Sequence, residues 1–254
     1  MKINQAFNSL AAAGGIRAAR IITEHRPNLS RIAVFFIARK LRRGVPVAKI
    51  INRRWFYGLA FYTNRHTLDP RPDTETLVAA VISDNPSSPQ ILDLGTGTGC
   101  VLISLVRNIY GATGVGIDVS RGAVRVARRN ARMLAHGAVR IYRHNYHRRT
   151  MFGAPYDVIV SNPPYIARGD TRVDAGAMHD PARALYADND GYSEYMVIAK
   201  NARDWLRDGG RIYLEIGDGQ SARVRDIFAA AGWRFVRADA DLAGITRVLV
   251  FAKK

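Results

Sequence analysis

Ile91-Leu92-Asp93-Leu94-Gly95-Thr96-Gly97-Thr98-Gly99-Cys100 decides the fold. Four residues of a short buried strand run into a turn with glycine at every second position, and an apolar helical stretch follows to about Tyr110. Glycine in such a turn lets the backbone adopt positive φ and approach a ligand closely. Outward from this point strand and helix patterns alternate. Gly114–Asp118 reads as a second strand, and the next helix carries Val124, Ala127, Ala131 and Leu134 on one face. Further strands are expected at about 139–142, 156–161, 210–216, 234–237 and 247–252, with helices at about 193–206 and 220–231. This alternation predicts an open, mainly parallel α/β sheet covered on both faces, with ligands beyond the carboxyl ends of its strands.

The rest of the chain is simpler. Apolar residues from Asn4 to about Arg43 recur at helical spacing, broken at Pro27-Asn28 into two helices. Trp55–Leu68 reads as a hairpin around Gly58, and Pro72 with Asp73 and Glu75 marks a third helix start. The 254 residues are 48% hydrophobic and 23% charged, which excludes disorder and suits one large domain with a small appendage. Cys100 is the single cysteine, so no internal disulfide or multi-cysteine zinc site exists, and a reducing, cytoplasmic setting is expected. The longest apolar run, Ile32–Ala38, is far below the roughly 20 residues that span a bilayer. The Arg-bearing, nearly acid-free first 26 residues fit an amphipathic helix better than a transit peptide.

Net charge is +17, from 38 Lys/Arg and 21 acids. Residues 121–149 hold nine Arg and no acid, whereas Asp170, Asp174, Asp180, Asp188, Asp190 and Glu194 face only Arg172 and Arg183 over 170–194. The sign change predicts a polarised surface, with Arg121, Arg125, Arg128, Arg129 and Arg132 solvated or bound to an anion. His144 and His147 have metal-like spacing but no third ligand, so surface roles are expected and no metal. Cys100 is expected to be packed core.

Asp118 closes the second strand 19 residues beyond Gly99, where an acid can accept from both hydroxyls of a ribose. Its bland alternative is a neighbour to a Ser120 helix cap. The turn lacks the Lys-Ser/Thr ending of a triphosphate loop, and NAD and S-adenosylmethionine both remain open. Ser161-Asn162-Pro163-Pro164-Tyr165 ends the fourth strand. Its prolines stiffen the backbone and remove two donors, so the Asn162 side-chain oxygen and the Pro163 carbonyl can both accept from one planar NH₂ while Tyr165 stacks on the attached π-system.

This residue set resembles the amino-methylating S-adenosylmethionine-dependent methyltransferases, whose signature is Asn/Asp-Pro-Pro-Tyr/Phe. Within that class the chain resembles the peptide chain release factor N5-glutamine methyltransferases. The likeness spans R-R-G-V-P-V-A-K-I (42–50), F-Y-G-L-A-F (56–61), L-D-P-R-P-D-T-E-T-L-V (68–78), D-V-I-V-S-N-P-P-Y-I (157–166), D-P-A-R-A-L (180–185), D-G-Y-S-E-Y (190–195) and L-E-I-G-D-G-Q (214–220). The resemblance implies a class I Rossmann-like seven-stranded sheet with a small N-terminal helical domain. It divides the chain into a helical substrate-docking domain (1–52), a β-hairpin linker (53–72) and a methyltransferase domain (73–254).

The implied reaction is methylation of the glutamine in the Gly-Gly-Gln loop of release factors. Asn162, Pro163, Pro164 and Tyr165 would hold that side chain. Gly95, Thr96, Gly97, Thr98, Gly99, Asp118, Asn145, Tyr146 and Asn162 would hold S-adenosylmethionine, with the P-R-P-D-T-E segment at the cofactor's entrance. For Arg71 and Glu75 a helix-start salt bridge is an equal alternative to direct contact. Where the family carries an acid before an aromatic, this chain reads His144-Asn145-Tyr146, and Asn145 is a weaker acceptor for the adenine amine than a carboxylate. A monomer, with RNA contact through the basic face, is expected. Adenine-N6 methylation of DNA or RNA, and a catalytically silent RNA-binding module, are the rival readings.

Overall fold

A computed structural model describes residues 3–151, 153, 155–170 and 176–253. Its centre is a sheet of seven strands in the order β10-β11-β9-β6-β3-β4-β5. These are β3 (Gln90–Leu94), β4 (Thr113–Asp118), β5 (Val139–Arg143), β6 (Tyr156–Ser161), β9 (Leu206–Glu215), β10 (Trp233–Ala240) and β11 (Thr246–Lys253). β5, β4, β3, β6 and β9 are parallel neighbours, and β11 runs antiparallel between β9 and β10. The doubly wound α/β expectation holds, with seven strands.

Period-two alternation sorts the core. On β11, Val248 and Val250 join one cluster while Leu249 and Phe251 join another, as residues on opposite faces of a pleat must. The first cluster is covered by α4 (Glu75–Ser83), α5 (Cys100–Asn108) and α6 (Arg121–Leu134), the second by α8 (Ser193–Asn201) and α9 (Ser221–Ala230). On α6, Val124, Ala127 and Ala131 are buried with Leu134 packed beside them, and Arg121, Arg125, Arg128, Arg129 and Arg132 are exposed. The division of that helix into two faces follows the sequence pattern.

A third cluster belongs to the N-terminal helices α1 (Ile3–His25), α2 (Arg31–Arg42) and α3 (Val47–Ile51), built on Leu10, Ala19, Ile22, Val34, Ile37 and Leu41. Two helices expected over Asn4–Arg43 are in fact three segments, because Gly15 breaks α1 with φ 86° and ψ 162°. At the neighbouring Gly14 the helices approach closely: a Cβ there would sit 2.9 Å from Leu41. The hairpin consists of β1 (Arg53–Phe56) and β2 (Leu59–Tyr62) only, shorter than the expected Trp55–Leu68. Residues 63–71 leave it as a loop because Lys49 captures their carbonyls, as described below.

Other boundaries also differ. The third helix opens with a 3₁₀ turn, Pro72–Thr74, before α4. α8 ends at Asn201 rather than Leu206, and β9 begins at Leu206, ahead of the Gly209-Gly210 expected to stop the helix. Trp205, 1% exposed, anchors the changeover by donating its indole N–H to the Arg149 carbonyl at 2.7 Å. A short parallel pair, β7 (Ile166–Ala167) with β8 (Tyr186–Ala187), and the single turn α7 (Asp188–Gly191) have no counterpart in the sequence pattern. No helix among the described residues is long and apolar enough to cross a membrane.

Candidate active site

β3 is followed outward by β4 and β5 on one side and by β6 and β9 on the other, so the strand order reverses between β3 and β6. Adjacent loops diverge there and leave a crevice at the carboxyl edge. Leu94 pairs with Ser161 across this point, and the Ser161 hydroxyl donates to the Leu94 carbonyl at 2.8 Å. The Gly-rich turn therefore leaves the sheet beside Asn162. A cavity of about 800 Å³ opens between them, bordered by Gly95, Gly97, Asp118, Tyr146, Asn162 and Pro164.

Gly95, Gly97 and Gly99 all have positive φ, at 73°, 56° and 80°. Thr96 and Thr98 are buried and do not line the cavity; with Gly99 they buttress the turn. Thr96 Oγ1 donates to Asp93 Oδ2 at 2.6 Å, and its N–H donates to the Ile117 carbonyl at 2.9 Å. Asn130 on α6, fully buried, donates to the Thr98 carbonyl at 2.9 Å and to the Tyr62 carbonyl at 3.0 Å, and accepts from the Tyr62 N–H at 2.9 Å. This side chain ties turn, hairpin and helix together, and no local pattern marks it.

Asp118 accepts from the Gly97 N–H at 3.1 Å and from the Ser120 N–H at 2.8 Å. Ser120 also caps α6, its side chain accepting from the Ala123 N–H, so the helix-cap reading of this segment holds. Each carboxylate oxygen has two acceptor positions, and one backbone donor apiece leaves both oxygens capacity for a pair of ribose hydroxyls. Burial raises the Asp118 pKa above the usual carboxylate range, against the pull of its backbone donors and Arg183. Asn145 borders the same cavity with its Oδ1 accepting from the His147 N–H at 3.0 Å, so one acceptor position of that oxygen is already used. Tyr146 donates to Glu194, which also meets His147 Nε2 at 3.0 Å, and His144 Nε2 lies 2.8 Å from the Thr150 carbonyl. Cys100 is buried, and burial pushes its thiol up to about 12, which removes it as a nucleophile at neutral pH.

The residues after β6 face two ways. Asn162 and Pro164 border the larger cavity, while Asn162, Pro163 and Tyr165 border a second one of about 440 Å³ with Arg71, Glu215 and Arg247. Asn162, with Leu68 and Ala184, thus borders both cavities. Its Nδ2 donates to Thr74 Oγ1 at 3.1 Å, which leaves Oδ1 as the acceptor to present. Tyr165 is half-buried, packed against the second core cluster while it borders the second cavity, and the crevice between Gly97 and Asn162 is open. Its backbone is clamped from behind: Gln220 Nε2 donates to the Tyr165 carbonyl at 3.0 Å, and a Cβ on Gly191 would lie 2.2 Å from that oxygen.

The P-R-P-D-T-E segment meets the second cavity, through Arg71 and Asp73, and not the mouth of the first. Arg71 and Glu75 do not pair with each other. Glu75 accepts from the Tyr57 N–H at 2.8 Å, whereas Arg71 reaches Asp180 at 3.2 Å. Asp180 is 3.3 Å from the Asp69 N–H and 2.8 Å from Lys49, which also lies 3.0 Å from Asp69 and donates to the carbonyls of Asn64 and Thr67. This buried cluster joins segments 42–50, 68–78 and 180–185. It also corrects the polarised-surface expectation, since Asp180 is internal, Asp188 pairs with Arg168 at 2.7 Å, and Arg172 and Asp174 lie outside the described residues.

The donor set of the larger cavity fits S-adenosylmethionine: glycine backbone at Gly95 and Gly97, a carboxylate with spare acceptor capacity, and the Asn162 amide on its border. Comparison with known proteins agrees. Residues 68–185 match the methyltransferase small domain family. The chain is 38% identical over 241 residues to the release factor glutamine methyltransferase of Bradyrhizobium diazoefficiens, covering 92% of this chain and 80% of that one. Identity to its Burkholderia pseudomallei counterpart is 37%, covering 94% and 87%. A methyltransferase from Pyrococcus furiosus shares the fold, with a TM-score of 0.58 at 17% identity over 77% of this chain and 89% of that one. Through the identity and coverage of these relatives, the chain belongs to the release factor glutamine methyltransferase family, S-adenosylmethionine-dependent enzymes built on the class I methyltransferase fold.

Proposed function

We propose that this protein methylates N5 of the glutamine in the Gly-Gly-Gln motif of peptide chain release factors. The observation that carries the proposal is Asn162, which borders both a cofactor-sized cavity and a smaller one and has an acceptor oxygen to offer. When bound, S-adenosylmethionine supplies a methyl group made electrophilic by its sulfonium. Gly95, Gly97, Asp118, Asn145 and Tyr146 would hold it. Thr96, Thr98 and Gly99 shape the turn that does so.

A carboxamide nitrogen is a poor nucleophile because its lone pair is delocalised into the carbonyl. Asn162 Oδ1 and the Pro163 carbonyl accept its two hydrogens, raise electron density on nitrogen and fix its orientation. Pro163 and Pro164 keep these acceptors from relaxing, and Tyr165 packs against the amide plane. The second cavity, walled by Leu68, Pro163 and Tyr165, is the acceptor's entry.

The N-terminal helices, residues 1–52, have an apolar cluster of their own, which supports a docking role for them, with 53–72 as the joint to the catalytic domain at 73–254. The protein acts as a monomer. The exposed arginines of α6 support an additional contact with RNA near the site. Labelled methyl donor offered together with a release factor, its glutamine-substituted variant and total RNA tests the assignment. Label is expected on the unsubstituted release factor alone, and label on RNA alone overturns it.

A further inference from the structure

A line of buried polar groups leads from Asn162 away from the cofactor cavity. Thr74 and Glu215 are only 3% and 2% exposed. Asn162 Nδ2 donates to Thr74 Oγ1 at 3.1 Å, and both the Thr74 hydroxyl and the Asn162 amide act on Glu215 as hydrogen-bonding neighbours. Glu215 borders the smaller cavity with Asn162 and Tyr165, and its Oε2 has no partner among the described residues. A hydroxyl carries one hydrogen. Thr74, while accepting from Asn162, has that hydrogen to give, and a carboxylate takes it. The line therefore has a direction.

We propose that Glu215, acting through Thr74, sets which end of the Asn162 amide faces the acceptor nitrogen. With Glu215 ionised, Thr74 must donate to it, Asn162 must donate to Thr74, and Oδ1 is presented to the acceptor. A protonated Glu215 becomes a donor to Thr74. The threonine hydrogen then turns toward Asn162, whose amide is favoured to rotate and present NH₂ to another NH₂. Glu215 is thus a positioning residue. The inference rests on the amide-methylation reading and adds its control by protonation.

The groups facing Glu215 are Asp73 and Thr74 ahead of α4, Cys100 on α5, Asn162 and Tyr165 after β6, Tyr195 on α8 and Arg247 on β11. Tyr195 donates to the Glu215 backbone carbonyl at 3.0 Å. Burial lifts the carboxyl most strongly and Asp73 adds to the rise; Thr74, Arg247 and Asn162 oppose it, and the result is about 7. Turnover should accordingly rise with pH through about 7.

The test follows methylation of a release factor from about pH 6 to about pH 9, with cofactor affinity measured by calorimetry. Thr74→Val removes the hydroxyl at nearly constant volume and should lower kcat about tenfold or more, with cofactor Kd changed less than about threefold. Thr74→Ser should restore most of kcat. Glu215→Gln should lose the acid limb near neutrality, because no proton titrates there. Parent-like kcat in Thr74→Val, or an unchanged acid limb in Glu215→Gln, overturns the inference. If Thr74→Val fails to bind cofactor, the Glu215→Gln profile decides. A parent enzyme that binds cofactor yet leaves the release factor unlabelled instead removes the glutamine reading.

Discussion

At the scale of single residues, the proposed function divides the work between Asn162, for the acceptor, and Asp118, for the cofactor. Asn162→Ala removes one of two acceptors for the substrate amide and should reduce kcat by about two orders of magnitude or more, while cofactor Kd moves much less. Calorimetry and steady-state kinetics on the same preparation check the split. Asp118→Asn keeps the shape of the side chain but replaces one acceptor oxygen with an NH₂ that confronts the Gly97 or Ser120 N–H. Cofactor Kd should rise about tenfold or more, read directly by titration. Both positions are legible in the sequence because each sits at the end of a strand beside a turn with its own local signature. Thr74, Asn130 and Glu215 are not. Their partners lie 88 residues away for Thr74 with Asn162, 68 for Asn130 with Tyr62, and no spacing rule connects them.

At the scale of elements, the Lys49 cluster explains why three separated sequence segments belong together. A cation that is 5% exposed holds carboxylates from the loop after β2 and from the loop ahead of β8, with Arg71 as a second cation on Asp180. Removing one partner of such a buried set leaves an uncompensated charge. Lys49→Met should cost about 3–5 kcal/mol of stability, measured as a fall in the urea midpoint without change in slope. A loss below about 1 kcal/mol would mean that the cluster is solvated in solution. Two of the elements missed by the sequence reading share one cause. The 63–71 loop and the β7-β8 pair are held by partners from other segments. Helical periodicity cannot report one residue that leaves the helical region, and a two-residue strand has no period to read.

At the scale of the whole molecule, the α/β fold buries acids whose charged form its interior disfavours. Asp93 and Glu215 are both pushed up to about 7, chiefly by burial. In the folded protein they hold protons that the unfolded chain releases above about pH 4. Stability from these groups is therefore complete below that pH and is lost as pH rises through about 7. Asp84, held low by Tyr213, Arg237 and Arg211, and Asp241, held low by Arg247, work in the opposite sense but only as pH falls through the acid range below this window. Urea midpoints of the ligand-free protein should therefore fall between about pH 5 and about pH 8, and Asp93→Asn should flatten the slope.

Legible in the sequence were the alternation of strand and helix, the glycine turn, the acid closing β4 and the two prolines after β6, because each depends on neighbours within one element or one turn. So were the two faces of α6. Only the packed chain shows that strand order reverses between β3 and β6, which brings the turn and Asn162 to one crevice, that Asp180 is internal, and that Asn162 borders two cavities, with Glu215 on the second. The physical reason is range: local pattern is fixed by backbone sterics and periodic burial, whereas the partner of a buried polar group is fixed by whichever chain segment packing brings within about 3 Å.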